Sequence, residues 1–302
     1  MSQMVEVAQD GTFIVMKEPK PIKARKTELK KKSVGSWLVF IILLLVVIGW
    51  LFPFYMALLN AFKNEAEFIA TGPLGWPKGI NLDNIIKFWN DVNFPQKLMN
   101  SIIVSLGATI IGVILSAFTA FALGIGRIKG RFWILALFMV AFTIPQEAMI
   151  YPWYNMAKAT HTYDSLVSVI IITGVASIAF GTYMLSAVLE EFPTELLEAA
   201  RIDGASYYQI FWKLILPMSM PSIASFAIFQ FLWVWNDYLI AFIFVGEQKS
   251  VMTYKLLRLI GQYGDGWQTV AAGSFIALIV PLMVFFGLQR YFVRGLTAGA
   301  VK

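Results

Sequence analysis

Thr194-Glu-Leu-Leu-Glu-Ala-Ala-Arg-Ile-Asp-Gly-Ala-Ser-Tyr-Tyr-Gln-Ile-Phe-Trp-Lys-Leu-Ile-Leu-Pro217 is a polar, sharply punctuated stretch between two long apolar runs. Thr194 caps a first helix whose opening turn carries Glu195, negative charge at the positive end of the helix dipole. Leu196, Leu197, Ala200 and Ile202 alternate with Glu198, Arg201 and Asp203, which gives one apolar edge. Gly204 tolerates the left-handed conformation that closes such a helix. Ser206, followed three residues on by Gln209, reads as a capping box that starts a second helix, Tyr207 to Leu216, stopped by Pro217. Helix, glycine turn, helix is a compact element suited to rigid docking against a soluble partner.

Outward from this segment the chain is mostly apolar. Of 302 residues 58% are hydrophobic and 14% charged, against about a quarter charged in soluble proteins, which argues against a water-soluble enzyme. Six runs are long enough to cross about 30 Å of hydrocarbon: Trp37 to Leu59, Asn100 to Leu123, Phe132 to Ile150, Leu166 to Leu189, Pro221 to Val245 and Val270 to Leu288. Pro145 is expected to kink the third near one end. An even number of crossings places both termini on one side, and sixteen of the 24 cations fall there too, so that side is expected to be cytoplasmic. The short turn with Arg127, Lys129 and Arg131 and no acid is the clearest marker. The expected organisation is a basic arm (1–36), a six-helix membrane domain (37–289) with the punctuated loop at 190–220, and a short tail (290–302). The arm carries Lys17, Lys20, Lys23, Arg25, Lys26 and Lys30 to Lys32 without an apolar period, and reads as mostly disordered and resting on anionic lipid.

Several chemistries are excluded by residue type. There is no Cys, and His161 is the single histidine, so no metal site of zinc-like spacing is expected. No G-x-x-x-x-G-K-[ST] phosphate loop is present, and Gly124-Ile-Gly-Arg-Ile-Lys-Gly130 has the wrong spacing and reads as a basic turn. The net charge of +6 is largely a topology signal, which removes the case for nucleic acid as a partner.

Glu198-Ala199-Ala200, three residues, Gly204, nine residues, then Leu214-x-Leu216-Pro217 resembles the EAA motif of ATP-binding-cassette importer permeases, with Leu214 where Ile is usual. Trp235-Asn236-Asp237-Tyr238 and the ending from Tyr291 to Lys302 resemble the carbohydrate-uptake branch, most nearly the smaller membrane subunit of maltose-type transporters. The resemblance covers the chain from the first apolar run onward. It implies an all-α, six-span permease of the type I (MetI-like) importer fold in a bacterial inner membrane, paired with a second permease as a heterodimer. It also implies two ATPase subunits that bind the ATP, so this chain needs no cofactor, and an extracytoplasmic sugar-binding protein. Glu198, Ala199, Ala200, Asp203 and Gly204 would then couple to the ATPase, and the tail would reach between the ATPase subunits.

Polar residues in or beside the apolar runs are the other candidates. Asp237 lies sixteen residues beyond Pro221, about 24 Å along a helix, so it is expected near one interface. Gln230, Trp233 and Asp237 share a helical face, with Asn236 beside them, and either line a sugar path or anchor the helix at the interface and to its neighbours. Gln146 and Glu147 after the Pro145 kink either serve an external gate or simply meet water. Gly107, Ala108, Gly112 and Ser116, with Gly174 and Ala176, offer surfaces for close helix packing. The rival readings are a proton-coupled carrier or membrane-embedded enzyme using Asp237 and Glu147, and a self-assembling channel.

Overall fold

The computed structural model describes residues 5–7, 13–15, 34–126, 128–253, 255–256 and 267–298. The chain divides into two compact units, 1–51 and 52–302. In the first, strands β1 (Val5–Val7) and β2 (Phe13–Val15) pair antiparallel, with Val5 opposite Val15 and Val7 opposite Phe13. The arm is thus not wholly irregular, because these short runs of β-branched and aromatic residues favour pleated pairing. Its cations from Lys17 to Lys32, Arg127 in the basic turn, and the last residues of the tail lie outside the described residues. Helix α1 (Val34–Ala61) begins in this unit and ends in the second.

All secondary structure among the described residues of the second unit is helical. After α1 come α2 (Glu65–Thr71), α3 (Asp83–Asp91) and α4 (Phe94–Gly124), then α5 (Arg131–Thr143) and α6 (Gln146–Ala159). α7 (Leu166–Ala176) and α8 (Ile178–Glu190) are separated by Ser177 alone. α9 (Thr194–Ile202), α10 (Tyr207–Met218), α11 (Met220–Asn236) and α12 (Leu239–Phe244) follow, then a 3-10 turn (Glu247–Lys249) and α13 (Trp267–Ala298). Four stretches are long and apolar enough to cross a membrane unaided: Gly35–Ala61, Phe94–Gly124, Leu166–Glu190 and Trp267–Gln289. The number becomes six if each of two bent pairs, α5 with α6 and α10 with α11, counts as one crossing.

Two expected spans are broken in the structure. The run Phe132 to Ile150 is not one kinked helix, since α5 and α6 meet at 95°. Ile144 is extended (ψ 122), as a residue before proline is driven to be, so α5 ends there and a separate helix starts after Pro145. Nor does one helix run from Pro221 to Val245: α11 stops at Asn236, and Asp237 is extended (ψ 119).

α4 is the central post. Its Phe94 end packs with Phe88 of α3, Phe231 and Trp235 of α11 and Val270 of α13. Its middle meets Val169 and Ile172 of α7 and Ile240 and Phe244 of α12. Its Gly124 end meets Leu185 and Leu189 of α8, Leu197 of α9, and Ile210, Phe211 and Ile215 of α10. Lipid is as apolar as these side chains, so close approach rather than water exclusion must drive such contacts. The small residues serve it. A Cβ on Gly112 would sit 2.3 Å from the Ser177 hydroxyl, and one on Gly174 3.1 Å from the Ala108 carbonyl oxygen. A Cβ on Gly181 would meet the Phe226 ring and the Ser116 hydroxyl, each at 2.3 Å.

At the Phe94 end, side chains fix the backbone of the connector after α12. Lys97 Nζ donates to the carbonyls of Glu247 and Gln248, Asn100 to those of Lys249 and Ser250, and the Ser101 hydroxyl accepts from the Met252 N–H. From the other side Asp164 accepts from the Gly246 N–H (2.8 Å) and pairs with Lys249 (3.0 Å). Those two contacts, the Gly246 N–H first, hold the Asp164 carboxyl below the usual carboxylate range.

Gly181→Leu is expected to lower the stability of the assembled protein by about 1 to 3 kcal/mol through overpacking, read as an earlier thermal transition in detergent. Gly287→Ala, with nothing within 4 Å of its added Cβ, should melt no earlier than the parent.

Candidate functional site

The punctuated loop folds as helix, glycine turn, helix, with differences at each end. Pro193, extended at ψ 120, is the residue before α9, and Thr194 belongs to the helix without a side-chain cap bond. The proline's fixed φ, rather than a hydroxyl, sets the entry, and Glu195 still occupies the first turn. α9 closes through Asp203, Gly204 and Ala205 N–H groups donating to the Ala199, Arg201 and Ala200 carbonyls, and Gly204 takes φ +77°. Ser206 and Gln209 form the reciprocal capping box, with Gln209 Oε1 accepting from the Ser206 N–H (2.8 Å) and the Ser206 hydroxyl from the Gln209 N–H (3.3 Å).

Pro217 does not stop the second helix. Residues Phe211–Ile215 form a π turn, the Leu216 N–H reaching back to the Phe211 carbonyl, and α10 runs on to Met218 before breaking at Ser219. The wider turn accommodates a proline that lacks the next N–H and would crowd a tighter one.

One side of this element is glued to the bundle. Leu197 is buried with Ile210, Phe211 and Ile215, and Phe211 stacks on Phe118 of α4 with ring centroids 4.9 Å apart. The other side is open: Glu198, Ala199, Arg201, Asp203 and Gly204 are exposed and Ala200 is half-buried. The expected single apolar edge is split, because Leu197 turns inward while Leu196 and Ile202 stay exposed, Ile202 at 85%. The Arg201 guanidinium lies 5.4 Å from the Tyr207 ring and donates to its hydroxyl, tying the two helices across the turn.

α10 leads into α11 at 74°. α11 has 17 residues, a rod of about 25 Å, and carries Gln230, Trp233 and Asn236, with Asp237 just past its end. That end borders two cavities. One, about 530 Å³, is lined by Gln146, Gln230, Trp233 and Asp237 together with Phe142, Trp153, Thr173 and Ser177. The other, about 700 Å³ and more open, is lined by Gln146, Glu147, Trp233, Asn236 and Asp237 with Phe142 and Tyr238. All six polar-path candidates therefore border one or both cavities, although they come from different helices.

Their present partners differ. Gln230 is buried; its Nε2 donates to the Thr173 carbonyl of α7 (3.3 Å), while its Oε1 has no partner among the described residues. Trp233 meets Phe142 edge-on at 5.9 Å and is 42% exposed, leaving ring surface open to the cavity. Asn236 Nδ2 donates to the Leu232 carbonyl. Asp237 Oδ1 accepts from the Leu239 (2.9 Å) and Ile240 (3.4 Å) N–H groups and so caps α12. Glu147 is exposed in the first turn of α6. Phe142, Thr173 and Ser177 are lining residues that sequence reading missed. The Ser177 break has no Pro or Gly to signal it. Among the described residues no three His, Cys, Asp or Glu side chains gather as a metal site would require.

Comparison with known proteins adds the following. Residues 108–298 match the family described as binding-protein-dependent transport system inner membrane component. The chain is 35% identical over 286 residues to the osmoprotective compounds uptake permease protein GgtD of Synechocystis, covering 92% of this chain and 95% of that protein. It is 39% identical over 234 residues to the alpha-glucoside transport system permease protein AglG of Rhizobium meliloti, covering 75% and 61%. Among solved structures, a chain of a bacterial ABC transporter that imports the acidic polysaccharide alginate superposes with TM-score 0.73 at 21% identity, over 86% of this chain and 96% of that one.

Asp237→Ala should expose the α12 N–H groups and cost about 0.5 to 2 kcal/mol, seen as a lower melting temperature of the purified protein. Asp237→Asn retains an acceptor and should melt close to the parent; equal behaviour of the two variants would remove the capping role.

Proposed function

The chain belongs to the family of inner-membrane components of binding-protein-dependent transport systems, and on that premise we propose that it forms half of the translocation path for a sugar or oligosaccharide. A second permease completes the path, a pair of ATPase subunits drives it, and an extracytoplasmic binding protein delivers the cargo. The relative named for alpha-glucoside transport supports a sugar as the solute. In this reading both termini and the 190–220 loop are cytoplasmic, in keeping with the cation distribution.

One observation carries the proposal: a rigid, half-exposed helix-turn-helix is fastened at its base to α4 and α8 and continues into the rod that ends at the cavities. The exposed surface around Glu198, Ala199, Asp203 and Gly204 is the docking face for the ATPase. Glu198 provides a charged anchor, the two alanines allow close approach, and Gly204 fixes the angle between α9 and α10. Movement imposed there reaches α11 through packed side chains, because the buried face of α10 cannot slide without opening its contacts with Phe118 and Phe226. At the far end Trp233 offers an aromatic face to a sugar ring, while Gln146, Glu147, Gln230, Asn236 and Asp237 provide hydroxyl partners. A proton-coupled carrier finds less support, since Asp237 is already engaged as a helix cap.

Glu198→Arg and Gly204→Asp are expected to insert in the membrane at normal levels yet lose ATPase association and uptake. Co-purification of the ATPase and uptake of labelled sugar in cells read the outcome. Unimpaired transport by both variants would overturn the proposal.

A further inference from the structure

Beyond the path and its drive, the connector between α1 and α4 has an unusual surface. From Phe68 to Leu82 the one ionisable side chain is Lys78. Within that stretch Ile69, Leu74, Trp76 and Ile80 are 76%, 60%, 72% and 83% exposed. A loop in water has no reason to present these side chains.

The loop is also folded back onto the helix that precedes it. Lys63, itself fully buried, donates from Nζ to the Gly72 carbonyl (2.8 Å), and Asn60 Nδ2 donates to the Pro73 carbonyl (3.2 Å). Asn84 Nδ2 donates to the carbonyls of Ala61 and Lys63, and the Asn81 N–H to that of Phe62. Held this way, Trp76 lies edge-on against Tyr55 of α1, ring centroids 5.9 Å apart. Tyr55 is six residues before the end of α1 at Ala61, about 9 Å along the axis. Lys63 is folded under the loop, and the exposed Asn64 and Glu65 that follow it mark the water boundary. The interfacial zone of a bilayer is about 5 to 7 Å deep on each side, so Trp76 is carried down to where headgroups meet acyl chains. Beside it a mostly apolar groove of about 420 Å³, lined by Met56, Ala57, Phe68, Pro73 and Trp267 with Asn60 as its one polar side chain, opens next to the loop.

We propose that residues 69–80 are an interfacial membrane anchor, with Ile69, Leu74, Trp76 and Ile80 seated in the lipid surface and the adjacent groove taking an acyl chain. Trp prefers this depth because its ring is apolar while its N–H needs a polar partner. Lys78 can extend its ammonium to lipid phosphate. The loop thereby fixes the height of α1 against the lipid and braces the start of α13, whose Trp267 shares the groove. The inference rests on α1 crossing the membrane.

The chain has no cysteine, so single-cysteine variants need no background changes in this subunit and can be labelled before it is assembled with the others. Trp76→Cys, Ile80→Cys, Phe54→Cys and Gln248→Cys would each carry an environment-sensitive fluorophore in the assembled transporter, in vesicles of phosphatidylethanolamine and phosphatidylglycerol. Spin-labelled lipid is expected to quench positions 54, 76 and 80 several-fold more than 248, and aqueous iodide the reverse. If 54 is lipid-quenched while 76 and 80 behave like 248, the anchor is overturned and the span stands. If 54 also fails, the membrane reading of α1 falls with it. Protection of 76 and 80 that requires added binding protein would assign the surface to that protein and overturn the anchor.

Discussion

A bilayer core offers no water to a backbone N–H or carbonyl, so any break in a membrane helix must find its partners within the protein or face a cavity. The three breaks at Ile144–Pro145, Ser177 and Asp237 meet that demand together, since residues from each line the same 530 Å³ cavity. Side chains supply the missing partners. The Thr143 hydroxyl donates to the Val140 carbonyl, the Ser177 hydroxyl to that of Gly174, Gln230 to that of Thr173 and Thr253 to that of Trp235. Asp237 accepts from the two N–H groups that start α12. Unwound backbone is tolerated at membrane depth where it lines a cavity, and the lining here, mostly apolar, includes amides and an aromatic face.

The same rod that borders the cavity reaches the helix-turn-helix at the Gly124 end of α4. That element is held together by a capping box, a left-handed glycine, a cation over an aromatic ring and a buried edge of Leu197, Ile210, Phe211 and Ile215. In the proposed coupling, an element with one side fixed to the spans and the other exposed passes force on without a moving part of its own.

Much of this was legible in the sequence because the signals were local. Gly204 and the Ser206 and Gln209 pair act within one turn, and each does what its residue type dictates. The small residues of α4 and α7 likewise fall at the close contacts. The misreadings arose where two local rules competed. Thr194 and Pro193 both suit a helix start, and proline's fixed backbone angle won. Pro217 reads as a stop, yet a π turn lets the helix pass it. Asp237 reads as a carboxylate inside a long apolar helix, but it caps a break that hydropathy alone cannot distinguish from a continuous span. The pairing of Gln230 with Thr173, 57 positions apart, is a tertiary fact without a local trace.

In the proposed assembly a separate ATPase holds the exposed face from Glu198 to Gly204. Ala199→Cys, exposed and introduced into a chain without cysteine, offers the most direct measurement through a short thiol cross-linker in membranes containing the whole transporter. The account expects a cross-linked product containing the ATPase subunit, with a yield that changes when ATP closes that subunit. Labelling of this cysteine from the binding-protein side of intact cells, with no ATPase adduct, would contradict it.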